Sequence, residues 1–222
     1  FTQDFIMINH PVFFVNDPAR YMSLMQNINS DSFLKKLQIP FVLGAKGTWI
    51  ALNSKTKISN PLHTRYWSMT PYQLGTGPNR EAVKYSVQAC SAVKETIPHA
   101  PHPNFLREAL KSSLEKEGAC MEFLVQPRTS DTMSVEDSMT EWKESEAPFY
   151  KVATIRIPQQ VFDTTEQNQF CENLSFSPWH SAPEHKPLGT VNRMRKVIYE
   201  RISSVRHEMN AIQSAEPHSS IN

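Results

Sequence analysis

The sequence predicts an α+β domain built on an antiparallel sheet or barrel, with helices packed outside it. Three observations carry that expectation. Val83, Tyr85, Val87 and Ala89 alternate with Lys84, Ser86 and Gln88, the period of a half-buried strand. Cys120 to Gln126 and Val152 to Ile157 read as two further strands, separated by a polar loop rich in Ser, Thr, Glu and Asp. Val191, Met194, Ile198, Ile202, Val205, Met209 and Ile212 recur at intervals of three and four, which predicts a long amphipathic helix from Thr190 to Ile212. Strands joined by long excursions, with helices added, belong to this fold class.

The elements follow in chain order. Phe5 to Val15 is an apolar run interrupted by Pro11, expected as two short extended pieces joined at a bend. Asp17-Pro18 supplies an N-cap acceptor and a proline at the first helical position, so a helix is expected through Ala19 to Asn27. A second short helix is expected over Ser32 to Gln38, ending before Pro40. Tyr66 to Ala89 is extended, Asn104 to Lys116 is a helix, and Gly118 is expected as its left-handed C-terminal stop. Phe170 to Gly189 holds several prolines and little periodicity, and is expected as an ordered crossing segment into the last helix, with Thr190 as N-cap. One domain is expected over residues 1–213, followed by a polar tail over 214–222 that frays.

Composition excludes several function classes. Of 222 residues, 23 are Lys or Arg and 22 are Asp or Glu, and a net charge of +1 gives no field that would gather nucleic acid. Only 6 glycines are present, with no nucleotide-binding or nucleophile-elbow pattern, so nucleotide enzymes are not expected. No apolar run approaches the roughly 18 residues a membrane span requires. Cys90, Cys120 and Cys171 are odd in number and widely spaced, which predicts no disulfide framework and a reducing compartment, cytoplasmic sooner than periplasmic. Cys90, at the end of an alternating strand, is expected as buried packing. The chain opens without Met in the apolar stretch Phe5 to Ile8, which needs partners to cover it; polypeptide upstream of Phe1 is therefore expected.

Within the last helix, Arg195, Tyr199 and Arg206 are spaced by four and seven residues and project within one arc. A tyrosine flanked by two arginines suits a phenolate held near an anion-bearing cofactor. The guanidinium stays charged in any surroundings and favours the deprotonated oxygen. Tyrosine is one of the few protein ligands to haem iron, and the second arginine could meet a carboxylate side arm. Taken alone, the spacing equally fits a surface packing pair.

Four separated segments add a resemblance. Pro11-Val-Phe-Phe-Val-Asn-Asp-Pro18, followed by Tyr21, resembles the catalase segment in which a Pro-x-Phe-Phe strand enters an Asp-Pro helix start with a ring stacked on the haem. Glu141 to Phe162, ending in Val-Ala-Thr-Ile-Arg-Ile-Pro-Gln-Gln, resembles a barrel strand of that family. Glu172-Asn-Leu-Ser-Phe-Ser-Pro178 resembles the stretch before the proximal helix, and Arg195-x-x-x-Tyr199 stands near the distance at which catalases place their proximal motif.

The resemblance is to the smaller, divergent catalase-related haem proteins, and it implies a partial catalase-like antiparallel β-barrel with a C-terminal proximal helix. It further implies a haem b with Tyr199 as ligand to iron, Arg195 tuning the phenolate, Arg206 on a propionate, Tyr21 stacked on the porphyrin, and Phe14 and Phe176 against the cofactor. Peroxide or organic hydroperoxide would be the substrate and a homo-oligomer the assembly.

The departures are equally specific. The family's distal histidine lies upstream of the segment corresponding to Phe1; its distal asparagine aligns near Ile8, with Asn9 one position off; and the histidine that commonly follows the proximal tyrosine is Ser203 here. His10 is expected in a structural role, His99 and His102 in a solvated loop, and His180 and His185 as structural. Two rivals accompany the catalase-like reading: a haem carrier or sensor without peroxide turnover, and a cofactor-free binding module on the same barrel. A catalase, a peroxidase and a fatty-acid hydroperoxide isomerase share this proximal side and differ on the distal one.

Overall fold

A computed structural model describes residues 2–91 and 96–212. Its centre is an antiparallel sheet of five strands: β1 (Tyr66–Trp67), β2 (Tyr72–Leu74), β3 (Glu81–Ala89), β4 (Ala119–Pro127) and β5 (Tyr150–Ile157). The strand β3 is the axis. Both β1 and β2 pair with its one side, at Tyr66 to Val87 and Tyr72 to Val83, while β4 takes the other side with Tyr85 opposite Val125. Beyond it, β5 pairs only with β4, after a register shift at Phe123/Leu124.

The expected barrel is therefore corrected to an open sheet. The short strands β1 and β2 are both spent on β3, so none of the described strands joins β5 to β1, and about eight strands are needed for a side-chain-filled barrel. An apolar groove of about 690 Å³, lined by residues including Phe5, Val87, Phe123, Val152 and Ile155, lies across one face of this sheet.

The strand β3 is also not half-buried, because every residue from Val83 to Val87 is buried. On one face Tyr72, Val83 and Tyr85 form a core with Met7, Phe123 and Val125. On the other, the loop between β4 and β5 folds back over the sheet and packs Met133, Trp142 and Ala147 against Ala82. Gln126, itself buried, ties that loop down by donating from Nε2 to the carbonyls of Trp142 and Ala147, each at 2.8 Å. Polar residues on β3 thus face protein where the alternation predicts water.

The cysteine expectation fails as well: Cys90 and Cys120 form a disulfide. The register that sets Ala89 opposite Met121 brings the next pair together, and the Cys90 amide donates to the Cys120 carbonyl at 3.0 Å. Spacing of 30 residues along the chain conceals neighbours across a sheet. Because disulfides persist in oxidising surroundings, the reducing-compartment reading loses its basis. Cys171 is free and exposed.

Among the helices, α1 (Pro18–Ile28) starts as its sequence dictates, with the Arg20 amide donating to Asp17 Oδ1 at 2.8 Å. The helix α2 (Phe33–Leu37) lies within the expected span, but Pro40 does not end the helical stretch. It stands in the first turn of α3 (Ile39–Asn53), where its missing N–H costs nothing. A left-handed Gly44, φ 69°, breaks α3 internally.

The helix α4 (Phe105–Lys116) matches its expected span, yet Gly118 is not a left-handed stop. A Cβ there would strike the carbonyl oxygen of Ile157, so glycine serves the close approach of β5. The helix α5 (Thr165–Asn173) was not expected; Thr164 and Gln167 form a capping box that starts it.

The last helix, α6 (Gly189–Asn210), has Leu188 at its N-cap position, not Thr190. The Thr190 amide and hydroxyl instead donate to Glu136 Oε2, at 2.7 and 2.5 Å. The apolar stripe on α6 is buried at Val191 but exposed at Ile202 and Met209, so the helix is gripped at its start and free towards its end. Phe5 to Val15 forms no named strand; Ile8 bridges Trp67 through hydrogen bonds of 3.0 and 2.7 Å. The polar tail lies outside the described residues.

Candidate functional site

The site is built on the first half of α6. Arg195 is buried, at 6% exposure, and three protein groups satisfy its guanidinium. Its Nη1 donates to Thr70 Oγ1 and Asn192 Oδ1, each at 3.3 Å, and its Nη2 donates to Tyr199 Oη at 3.2 Å. The guanidinium carbon also lies 5.2 Å from the Tyr199 ring centroid. The i to i+4 spacing thus produces the contact that it predicts: a buried cation donates to the phenol oxygen.

What holds Arg195 was not legible as a motif. Asn192 is fully buried, accepts from the Thr70 hydroxyl at 3.0 Å, and donates from Nδ2 to the carbonyls of Pro71 and Leu188 at 3.0 and 2.9 Å. Its own carbonyl accepts from Trp179 Nε1 at 2.6 Å. Thr70 and Pro71 lead directly into β2, so the foot of α6 is locked to the sheet by side-chain bonds. An asparagine beside an apolar stripe was the available signal, because a polar residue inside a packed helix needs partners. Tyr72 belongs to the same cluster; burial pushes its hydroxyl pKa up, while nearby Arg195 pulls the other way.

Past this foot, Tyr199 faces a cavity of about 260 Å³ together with Leu174, Ser175, Phe176, Ile202, Ser203 and Arg206. Three of the predicted cofactor residues, Tyr199, Arg206 and Phe176, therefore share one lining, and Arg195 stands behind the phenol. Arg206 is engaged: its Nη2 donates to the backbone carbonyl of Glu172 and lies 3.4 Å from the Glu172 carboxylate. Tyr21 and Phe14 are not in this lining. Tyr21 sits 6.2 Å from the Phe13 ring, which in turn lies 4.4 Å from Phe14, although α1 as a whole packs against α6.

The histidines hold structure. His10 Nδ1 lies 3.0 Å from the Val12 carbonyl, His185 Nδ1 lies 2.8 Å from Gln3 Oε1, and His180 approaches buried Asp4 at 3.4 Å. His102 pairs with Glu108 at 2.9 Å in an exposed loop. Among the described residues no three His, Cys, Asp or Glu side chains converge as a metal site.

A haem held from this side calls for a protein ligand to its iron, of which a tyrosine oxygen is one kind, an apolar wall and a cation for its carboxylates. The donor set supplies each: the phenol oxygen bonded by Arg195, the walls of Leu174, Phe176 and Ile202, and Arg206 at the rim. The cavity is smaller than the roughly 300 Å³ at which small-molecule pockets begin, so as it stands it does not enclose a whole macrocycle.

Comparison with solved structures finds a fungal catalase at a TM-score of 0.73 and 16% identity, over 94% of this chain and 45% of that one. Catalase A from Saccharomyces cerevisiae matches at a TM-score of 0.65 and 13% identity, over 99% of this chain and 52% of that one. The fold is catalase-like. At such identities the likeness is one of fold alone, and the chain spans about half the length of the catalases it matches. No protein-family model matches the sequence, and no curated protein does. Among the described residues, no helix of this catalase-like chain is long and apolar enough to cross a membrane.

Proposed function

We propose that the protein holds haem b against α6, with Tyr199 as the residue that would bind the iron, and acts on hydrogen peroxide or an organic hydroperoxide. The observation that carries this reading is the hydrogen bond from buried Arg195 to the Tyr199 oxygen at the edge of a cavity, within a catalase-like fold. When bound, the haem would supply redox chemistry toward peroxide that no side chain of this protein provides. Arg195 donates to the phenol oxygen that would meet the iron, and Thr70 and Asn192 keep the guanidinium in place. Phe176 would flank the macrocycle, Tyr21 would stack on it with Phe14 beside it, and Arg206 would exchange its contact with Glu172 for a propionate. The working protein is a homo-oligomer.

The existing bond between Arg206 and Glu172, with the small cavity, favours one alternative: a cofactor-free binding module that keeps the fold. Absorption spectroscopy separates the two. The full-length protein reconstituted with hemin is expected to show a Soret band that Tyr199→Phe shifts or abolishes, with far-ultraviolet dichroism unchanged. An identical spectrum in the variant removes Tyr199 as ligand, and no Soret band in the parent protein selects the cofactor-free module.

A further inference from the structure

The helix α3 is apolar on nearly all sides, as a helix enclosed by protein would be, yet only one side of it is covered. Leu43 before the break at Gly44, and Gly47 and Ile50 after it, are the buried residues of its inner side. A Cβ on Gly47 would come within 2.7 Å of the Phe14 carbonyl oxygen, so this side lies flush on the body. The outer side carries Trp49 and Leu52, each 64% exposed, and Phe41 at 86%. The neighbouring α2 has no buried residue at all, and Phe33 and Leu34 are 71% and 70% exposed. Soluble surfaces do not ordinarily carry so many large apolar side chains in one run.

Charge identifies the partner. From Phe33 to Lys57 the chain holds Lys35, Lys36, Lys46, Lys55 and Lys57 and no acidic residue, in a protein whose net charge is only +1. Lys46 lies towards Asp137 at 3.8 Å, and the other lysine residues are exposed. Phenylalanine, leucine and a tryptophan rimmed by lysine are the composition of segments that lie in a lipid interface, apolar groups among the acyl chains and ammonium groups at anionic headgroups. A two-fold contact with a second copy would set the same lysines against each other, and like charges facing across an interface oppose association.

We propose that α2 and the outer side of α3 dock the protein onto an anionic lipid bilayer, lying in the headgroup region without crossing it. This surface is independent of the haem reading and stands or falls without it. The test sediments the full-length protein with vesicles of phosphatidylcholine alone and of phosphatidylcholine mixed equally with phosphatidylserine. Partition onto the anionic vesicles is expected, weakened by salt, with a blue shift of tryptophan emission that Trp49→Phe removes.

Lys35→Glu with Lys36→Glu, placed where nothing is buried, is expected to lower partition about tenfold or more. Phe41→Ser is expected to lower it too. Absence of binding to the anionic vesicles, or equal binding by the lysine variant, overturns the proposal. So does a parent oligomer that Phe41→Ser dissociates while neither protein binds vesicles, which would assign the face to a second copy.

Discussion

Among the described residues two cations are buried in this fold, and they are treated in opposite ways. Arg195, at 6% exposure, donates to Thr70, Asn192 and Tyr199. Lys84, at 4%, has no hydrogen-bond partner for its ammonium and lies 5.0 Å from the centroid of the Trp142 ring. Arginine stays ionised in any surroundings, so the foot of α6 must be built around its charge. Lysine can give its proton up, and burial lowers Lys84 to a pKa of about 8 despite Glu141 and Asp137 nearby. A buried charge surrounded by acceptors is part of a site; one with a single aromatic face is a cost borne by the packing of the β4–β5 loop.

The largest expected effect breaks the first of these arrangements. Asn192→Leu, close in size, leaves the carbonyls of Pro71 and Leu188 without the side-chain donor they now share and takes an acceptor from Arg195. The Pro71 carbonyl keeps the Leu188 amide, Thr70 keeps the Ser68 carbonyl and Arg195 keeps Thr70 and Tyr199, so each group loses one of several partners, and with the groups in one network a loss of about 3 kcal/mol is expected. Urea unfolding measures it as a lower midpoint at unchanged slope. A loss below about 1 kcal/mol would mean that apolar packing of Val191, not this network, holds α6 to the sheet.

The next effect has the opposite sign. Lys84→Met removes a charge whose burial is unfavourable, and is expected to stabilise the protein by about 2 kcal/mol at neutral pH, after the lost attraction to Trp142 is counted. With a folded pKa of about 8 against an ordinary 10.5, the unfolded chain binds more protons between those values, so stability rises with pH across that window. Below about pH 8 the whole penalty applies. The gain from Lys84→Met should therefore be greatest below pH 8 and fade towards pH 10.5; a gain independent of pH would assign it to shape alone.

The same contrast explains how much could be read in advance. Helix α1, helix α4, the three long strands and α6 were legible because their period, caps and proline positions act locally. The Arg195–Tyr199 contact was legible for the same reason, since four residues on a helix fix a distance. Lys84 was misjudged because alternation reports one buried face, whereas a loop some fifty residues later in the chain covers the other. The Cys90–Cys120 bond was hidden because register across a sheet is not written in spacing along the chain. Thr70 and Asn192 became visible only when β2 and α6 met. The open sheet followed from the pairing of both short strands with β3, which no local pattern announces.

A smaller effect tests whether the foot of α6 depends on charge beyond its interior. The Glu136 carboxylate accepts from the Thr190 amide and hydroxyl and pairs with Arg193, at the positive end of the helix dipole. The Thr190 hydroxyl and then Arg193 hold its pKa below the ordinary carboxylate value. A depressed acid contributes stability that is present above its unfolded pKa and lost as pH falls through the folded one. Glu136→Gln is thus expected to cost under about 1 kcal/mol at neutral pH, because the side chain is 56% exposed and screened, and nothing once the parent carboxylate is protonated. A cost that persists in acid would place its origin in the amide hydrogen bonds.

The smallest effect on folding belongs to Arg206, the last arginine of α6. Arg206 and Glu172 have side chains 43% and 72% exposed, and such pairs contribute a few tenths of a kcal/mol. Arg206→Ala should leave the unfolding midpoint nearly unchanged, where Arg195→Ala should lower it severely by stranding Thr70, Asn192 and Tyr199. If haem binds against α6, the order reverses for hemin affinity per unit of stability lost: Arg206→Ala weakens the affinity by about tenfold, the scale of one charge-assisted contact, with the fold intact. Hemin titration of a variant that unfolds like its parent therefore reads the cofactor site alone. Unchanged affinity would leave Arg206 as a strut between α5 and α6, and would confine the site to the phenol and the buried guanidinium beside it.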